Sequence, residues 1–150
     1  MTKFLLAVHV IAAILAVGPV AVAASMFPPA ARRALAAGPD DPGATETLRL
    51  LHRICRVYAV VGVVVPVFGF ATASRMGVLG STWLIVSIAL TTLAVLVLAA
   101  LVLPTQSAFV EGDGTAAVTA RLAMFTGLFN LLWAAVTVLM IVRPGSTTGA

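Results

Sequence analysis

Charge is scarce in this 150-residue sequence: 9% of the residues are Asp, Glu, Lys or Arg, whereas 61% are hydrophobic. Water-soluble globular domains carry roughly a quarter charged residues. The shortage argues against a water-soluble domain and predicts an integral membrane protein. A single cysteine, Cys55, excludes an internal disulfide and offers no metal cluster, so we interpret it as a small apolar packing residue.

Acidic residues are scarcer still, and none lies within a long apolar run. The five are Asp40, Asp41, Glu46, Glu111 and Asp113. Small dimeric multidrug transporters resemble this chain in the number of spans, but they depend on a membrane-embedded Glu that this sequence lacks, so a small dimeric transporter ranks third among the functions considered. A paired-acid enzyme would need the Asp40–Asp41 pair beside Glu111 and Asp113, around a divalent cation. We interpret all five as solvated loop charges, which makes an enzyme the least supported class.

Four apolar runs are long enough to cross a hydrocarbon core of roughly 30 Å. They cover residues 4–27, 54–74, 82–103 and 122–142. The connections between them are polar or rich in Pro and Gly. The sequence therefore predicts an all-α fold, a single integral membrane domain over residues 1–150 whose four transmembrane helices form an antiparallel bundle.

The first run has a second interpretation, as a cleaved signal peptide. Lys3 would supply the positive n-region, residues 4–17 the apolar h-region, and the Ala-Val-Ala at 21–23 the cleavage site. Against this, the run is longer than a typical h-region, and Arg32 and Arg33 follow closely, which disfavours translocation. We expect the run to remain as the first helix.

Proline, glycine and capping residues mark the predicted boundaries. The predicted loops are 28–47, 75–81 and 105–119, with a fraying end at 146–150. Pro104 is predicted to end the third helix, because proline has no backbone donor. Thr45 or Thr47 is predicted to cap the second helix.

Several residues inside the runs indicate helix packing or a kink. They are Gly18, Pro19, Gly62, Pro66, Gly69 and Asn130. Small residues at helical spacing let two helices approach closely in lipid, and a proline loosens the helix around it. Pro66 has a second interpretation as a flexing gate. Asn130 predicts an interhelical hydrogen bond, with a ligand contact as the alternative.

A basic stripe precedes the second run. Arg49, His52, Arg53 and Arg56 recur at helical spacing and so share one face of a helix. No aromatic residues are interleaved with them as on a nucleic-acid-binding surface, so nucleic acid is not expected as a partner. We predict contact with anionic lipid headgroups, worth on the order of 1 kcal/mol per residue.

Basic residues are unequally divided between the two sides of the predicted bundle. One side carries Arg32, Arg33, Arg49, Arg53, Arg56 and Arg121, and the other carries Lys3, Arg75 and Arg143. The positive-inside rule places the first side in the cytoplasm. Both termini are then predicted to face outward.

His9 is the ionisable residue inside an apolar run that most suggests a function, because such residues are costly in lipid. One interpretation is a site for haem, quinone or another lipid-soluble cofactor, with Thr72 and Thr137 lining a cavity and Met140 as a possible second axial ligand. The alternative is structural, an imidazole hydrogen-bonded to a neighbouring helix. A haem held by both His9 and His52 is excluded, because the two residues lie at opposite ends of the bundle, roughly 25 Å apart in level.

The opening helix resembles a known pattern: His9, eight residues, then Gly18. It is similar to that of uncharacterised bacterial four-helix integral membrane proteins grouped as a domain of unknown function, and more distantly to copper-resistance-D-like membrane domains. The chain departs from the pattern at Ala16, where such helices often carry Trp, and at Pro19, where a second Gly is common. The resemblance implies a bacterial inner-membrane location and, for the copper-related relatives, metal or haem handling. A lone His is a poor copper site.

The favoured function from the sequence is a non-enzymatic membrane protein that acts as an accessory subunit or assembly partner of a larger membrane complex. Its expected partners are other membrane subunits or further copies of the chain. The cofactor site at His9 is the alternative.

Overall fold

The computed structural model of the chain describes residues 1–146. Its helices are α1 (Thr2–Ala37), α2 (Pro42–Val61), α3 (Val64–Met76), α4 (Thr82–Val97), α5 (Leu103–Ala108) and α6 (Ala116–Val142), with π-helical segments π1 (Leu98–Val102) and π2 (Phe109–Asp113) flanking α5. They form four long helices: α1, α2 with α3, α4 through π2, and α6. Each is long and apolar enough to cross a membrane, as in a multi-pass membrane protein. The predicted all-α four-helix architecture is confirmed, and residues 1–146 contain no strand. The fraying end is predicted at 146–150, of which 147–150 lie outside the described residues.

The first long helix occupies the centre of the packing. α1 packs along α2, α3 and α6, while α4 packs on α6 and α5 contacts α2. The main core includes the fully or nearly fully buried side chains of Ala24, Phe27, Cys55, Val102, Leu122 and Phe129. A smaller cluster around Ala73, Trp83 and Leu84 lies where α3 ends and α4 begins. The predicted tight turn joins these two helices, and in it Gly77 adopts a left-handed conformation (φ 67°).

The first helix does not end at Pro28, so the predicted loop over 28–47 is wrong for its first ten residues. α1 continues through Pro28 and Pro29 to Ala37. A proline inside a helix costs about 3 kcal/mol or more. Tertiary burial offsets that cost, because Phe27 and Ala31 are completely buried and the Phe27 ring meets Phe109 edge-on at 6.0 Å.

The second helix begins earlier than predicted and breaks once. Asp41, rather than Thr45 or Thr47, is the cap: its Oδ1 accepts from the amides of Gly43 (3.0 Å) and Ala44 (3.3 Å). α2 and α3 are separated at Gly62, whose carbonyl accepts from Val65 N at 3.1 Å. Pro66 has no N–H with which to form the ordinary bond to Gly62, and the tighter bond replaces it.

Pro104 does not end the third helix; that prediction is wrong. The helix passes through Pro104 in α5 and continues into π2, where Gly112 (φ 114°) leaves the helical conformation. Just before the proline, π1 has a wider turn, in which Leu103 N bonds to Leu98 O five residues back. The change of hydrogen-bond register accommodates the residue without a donor, as single-turn π segments do.

The long helices are longer than a bilayer's core. At 1.5 Å per residue the first, of 36 residues, is about 54 Å long, against a hydrocarbon thickness of roughly 30 Å. Much of the extra length lies beyond the apolar runs at one end, where α1 and π2 finish and α2 and α6 start. We call this the basic end, because it carries Arg32, Arg33, Arg49, Arg53, Arg56 and Arg121. A helical projection therefore extends past the predicted membrane at the basic end.

Candidate functional site

The basic stripe of α2 forms one wall of an open groove of about 500 Å³. We call it the arginine groove; its lining is Arg49, His52, Arg53, Arg56, Val57, Val60 and Val110. Seen along the α2 axis, the six α2 residues occupy a single face, as their spacing predicts. The seventh lining residue, Val110, belongs to π2. The structure thus brings all four predicted headgroup-contacting residues together.

His52, in the lining of this groove, is held by a buried amide. Its Nδ1 lies 3.0 Å from Gln106 Oε1, and Gln106 Nε2 donates to Cys55 Sγ at 3.7 Å. With the amide in this orientation, Oε1 can only accept, so His52 Nδ1 carries the hydrogen and Nε2 is the ring nitrogen left for other partners. Gln106 is completely buried, and its hydrogen bonds connect α5 to α2.

Gln106 is a site residue that the sequence analysis missed. Interpreting Pro104 as a helix end places residues 105–119 in a solvent-exposed loop. The signal was present: Leu98, Val102, Gln106 and Phe109 are buried at intervals of four, four and three residues, the period of one helix face. Continuing that pattern across the proline would have placed Gln106 inside the bundle.

The charges around the arginine groove are weakly compensated. Arg49 forms an exposed ion pair with Glu46, N to O 3.8 Å, a type of pair that contributes little to stability. Arg53 and Arg56 form no ion pair within residues 1–146. The groove therefore presents a net positive potential to whatever occupies it.

A second groove lies at the tip of the basic end, between the end of α1, the start of α2 and π2. We call it the tip groove; its volume is about 310 Å³ and its lining includes Leu35, Leu48, Phe109, Val110 and Gly114. Gly114 lets the chain pass close to the Phe109 ring, since a Cβ there would lie 2.8 Å from Phe109 Cζ. The tip groove is mostly apolar although it lies beyond the apolar runs.

His9 binds the second long helix near the other end of the bundle. Its Nδ1 is 2.9 Å from Val65 O, and its ring lies against Gly69, where a Cβ would be 2.8 Å from Cε1. A carbonyl can only accept, so Nδ1 donates and Nε2 keeps its lone pair in the neutral ring. The interhelical hydrogen bond expected of a structural His9 is present, and Nε2 has no hydrogen bond within residues 1–146.

The residues predicted to surround a cofactor at His9 have other contacts. The Thr72 hydroxyl is buried and donates to Phe68 O at 2.7 Å, while the Thr137 hydroxyl, on an exposed residue, donates to Trp133 O at 2.8 Å. Met140 packs against the cluster of Ala73, Trp83 and Leu84. Each of the three thus has a partner other than His9.

Of the remaining packing candidates, Gly69 marks a close approach of the second long helix to the first, whereas Gly62 lies at ordinary contact distance from it. A Cβ at Gly62 would lie 3.8 Å from Ala16 Cβ, whereas Gly18 faces open space and α1 continues across Gly18 and Pro19.

Asn130 forms a hydrogen bond between the first and fourth long helices, as predicted. Its Nδ2 donates to Ser25 Oγ at 3.0 Å. Asn130 Oδ1 is buried without a partner within residues 1–146, as are Thr126 Oγ1 and Trp133 Nε1 on the same face of α6. This face retains hydrogen-bonding capacity.

No protein-family model, curated protein or solved structure matches the chain. Within residues 1–146, no three His, Cys, Asp or Glu side chains are grouped so that they could hold a metal ion. The two grooves and His9 are therefore the candidate functional sites of the chain.

Proposed function

We propose that this chain is a non-enzymatic integral membrane protein of the bacterial inner membrane, an accessory subunit or assembly partner of a larger membrane complex. In this proposal the basic end faces the cytoplasm and both termini face outward, because the excess of arginines lies at the basic end.

The observation that supports the proposal is the tip groove. Apolar side chains facing lipid need no partner, but an apolar concavity in water is a typical docking site. Leu35 is 41% exposed at its edge, beyond the predicted membrane boundary at residue 27. A partner subunit that places an apolar side chain in the tip groove would remove this surface from water, at about 25 cal/mol per Å².

The test is photo-crosslinking in native membranes from Leu35, replaced by a photoreactive amino acid. Leu50 is the matched control: it is also a leucine, it is 57% exposed, and it lies on the face of α2 opposite Leu48. We expect an adduct to a larger subunit from position 35 and none from position 50, confirmed by native mass spectrometry of the complex. Equal adducts from both positions, no adduct from either, or an adduct solely to a second copy of the chain would overturn the accessory role.

A second candidate function is binding of a lipid-soluble cofactor at His9. The observation in its favour is the Nδ1–H bond to Val65 O, because a histidine whose Nδ1–H is fixed by a carbonyl offers Nε2 as a ligand. Nε2 would bind a haem iron or accept from the hydroxyl of a reduced quinone. His9→Leu should abolish any cofactor adduct in the native mass spectrum, and His52→Leu, the same change at the other end, should not. Loss with both variants, or with neither, would exclude the site.

A further inference from the structure

We propose that the arginine groove is a defined binding site for one anionic phospholipid, whose phosphodiester lies among Arg53, Arg56 and His52 and whose acyl chain lies along Val57 and Val60. This goes beyond general attraction of a basic surface to a charged membrane. It is also independent of the tip groove and of any partner subunit.

Charge is the first argument. Arg53 and Arg56 are three residues apart on one helix face, an arrangement in which like charges repel by a few tenths of a kcal/mol. Neither forms an ion pair within residues 1–146, and the groove lining contains no carboxylate. A phosphate between the two guanidinium groups would neutralise this repulsion and accept charge-assisted hydrogen bonds from both.

The order of residues along the groove is the second argument. From Arg49 to Arg56 the α2 face is basic, and from Val57 onward it is apolar, with Val57 50% exposed and Val60 73% exposed. The lining thus changes from charged to apolar over about 16 Å of helix. A soluble anion would contact the basic part of the lining alone, whereas a phospholipid carries a charged group and a hydrocarbon chain in the same order as the lining. The change also coincides with the predicted membrane boundary, where phospholipid phosphates lie.

His52 supplies the third argument. Gln106 receives the Nδ1–H and fixes the ring, so that Nε2 is the nitrogen available to the occupant of the groove. Nε2 can accept a hydrogen bond from a headgroup hydroxyl in the neutral ring or donate to the phosphate in the imidazolium. Because Gln106 is buried and also bonded to Cys55, it acts as a positioning residue rather than as a ligand.

The test compares two double variants in a neutral detergent, with titration of short-chain phosphatidylglycerol followed by native mass spectrometry. One variant is Arg53→Gln with Arg56→Gln, within the groove. The control is Arg32→Gln with Arg33→Gln, which removes the same charge from the same end of the bundle at exposed positions outside the groove. We expect one phosphatidylglycerol per chain in the wild type and the control, and affinity weakened about tenfold or more in the groove variant, which is equivalent to about 1.4 kcal/mol.

Two further arms identify the ligand. Val57→Asn with Val60→Asn should weaken phosphatidylglycerol binding but leave binding of glycerol phosphate, the headgroup without a chain, unchanged. Phosphatidylcholine should not compete. If phosphatidylglycerol binding weakened equally in both double variants, the binding would be unspecific electrostatic adsorption. If inorganic phosphate competed as well as the lipid does, the groove would be a free phosphate site. Either result overturns the proposal. Circular dichroism of each variant verifies that the substitutions leave the helices intact.

Discussion

At Gly69 two helices approach more closely than a larger residue allows. The His9 ring occupies the space where a Cβ would be, and the ring is held there by the carbonyl of Val65. A displaced ring would lose that hydrogen bond, worth about 1 kcal/mol. His9 and Gly69 are therefore one place where the first and second long helices fit each other closely.

Gly69→Ala should destabilise the protein by about 1–3 kcal/mol through overpacking, although alanine is the better helix former. Gly18→Ala is the matched control: it lies in open space on α1 and should be neutral or slightly stabilising. The measurement is the thermal unfolding midpoint in detergent. In a His9→Ala background the penalty at Gly69 should disappear; if it persists, the His9 contact is not its cause.

At the scale of the element, α2 is positioned by its first turn. The Asp41 carboxylate caps the helix with two hydrogen bonds to backbone amides, and Pro42 follows at the start of the helix, where its missing donor has no cost. The first turn is exposed, so tertiary packing contributes little there. The cap therefore stabilises the first turn of the helix that carries the arginine stripe.

Asp41→Ala should cost about 1 kcal/mol of stability, whereas Asp40→Ala, with the same charge one residue earlier and outside the helix, should change it by less than about 0.5 kcal/mol. Hydrogen exchange measured by mass spectrometry gives the local readout. We expect faster exchange in the peptide that contains Gly43 and Ala44 in the Asp41 variant alone. Similar exchange in both variants would mean that the loop charge, rather than the cap, stabilises the start of α2.

For the whole molecule, the proposed orientation places the basic end in the cytoplasm, and site-specific labelling tests it. Labelling of the natural thiol cannot provide this test, because Cys55 is completely buried and would be protected on either side. Reporter cysteines belong at exposed turn positions, one at each end. Asp40 and Gly80 are exposed and lie in opposite turns.

In a Cys55→Ala background, Gly80→Cys should react with a membrane-impermeant reagent added to intact cells, and Asp40→Cys should react after permeabilisation alone. This follows from the excess of arginines at the basic end. The readout is the mass increase of the purified chain. Reversed labelling would place the basic end outside and would invert the proposed orientation.

The sequence by itself determined the number of helices, their apolar segments and the common face of Arg49, His52, Arg53 and Arg56. Hydropathy and helical periodicity are local properties of the sequence. Backbone N–H and C=O groups without hydrogen bonds are costly in lipid, so an apolar run of this length crosses the membrane as a helix. The tight turn before α4 could be predicted as well, because its glycines, Gly77 and Gly80, are a local turn signal.

Tertiary structure decided where the helices end and which polar groups meet. Pro28 and Pro104 are local stop signals, but burial of Phe27 and the π1 turn carry the helices past them. Gln106 therefore lies inside the bundle, where it forms a hydrogen bond with His52, a residue 54 positions earlier in the chain. Contacts over such separations depend on how four helices pack together, which the residue pattern of each helix alone does not specify.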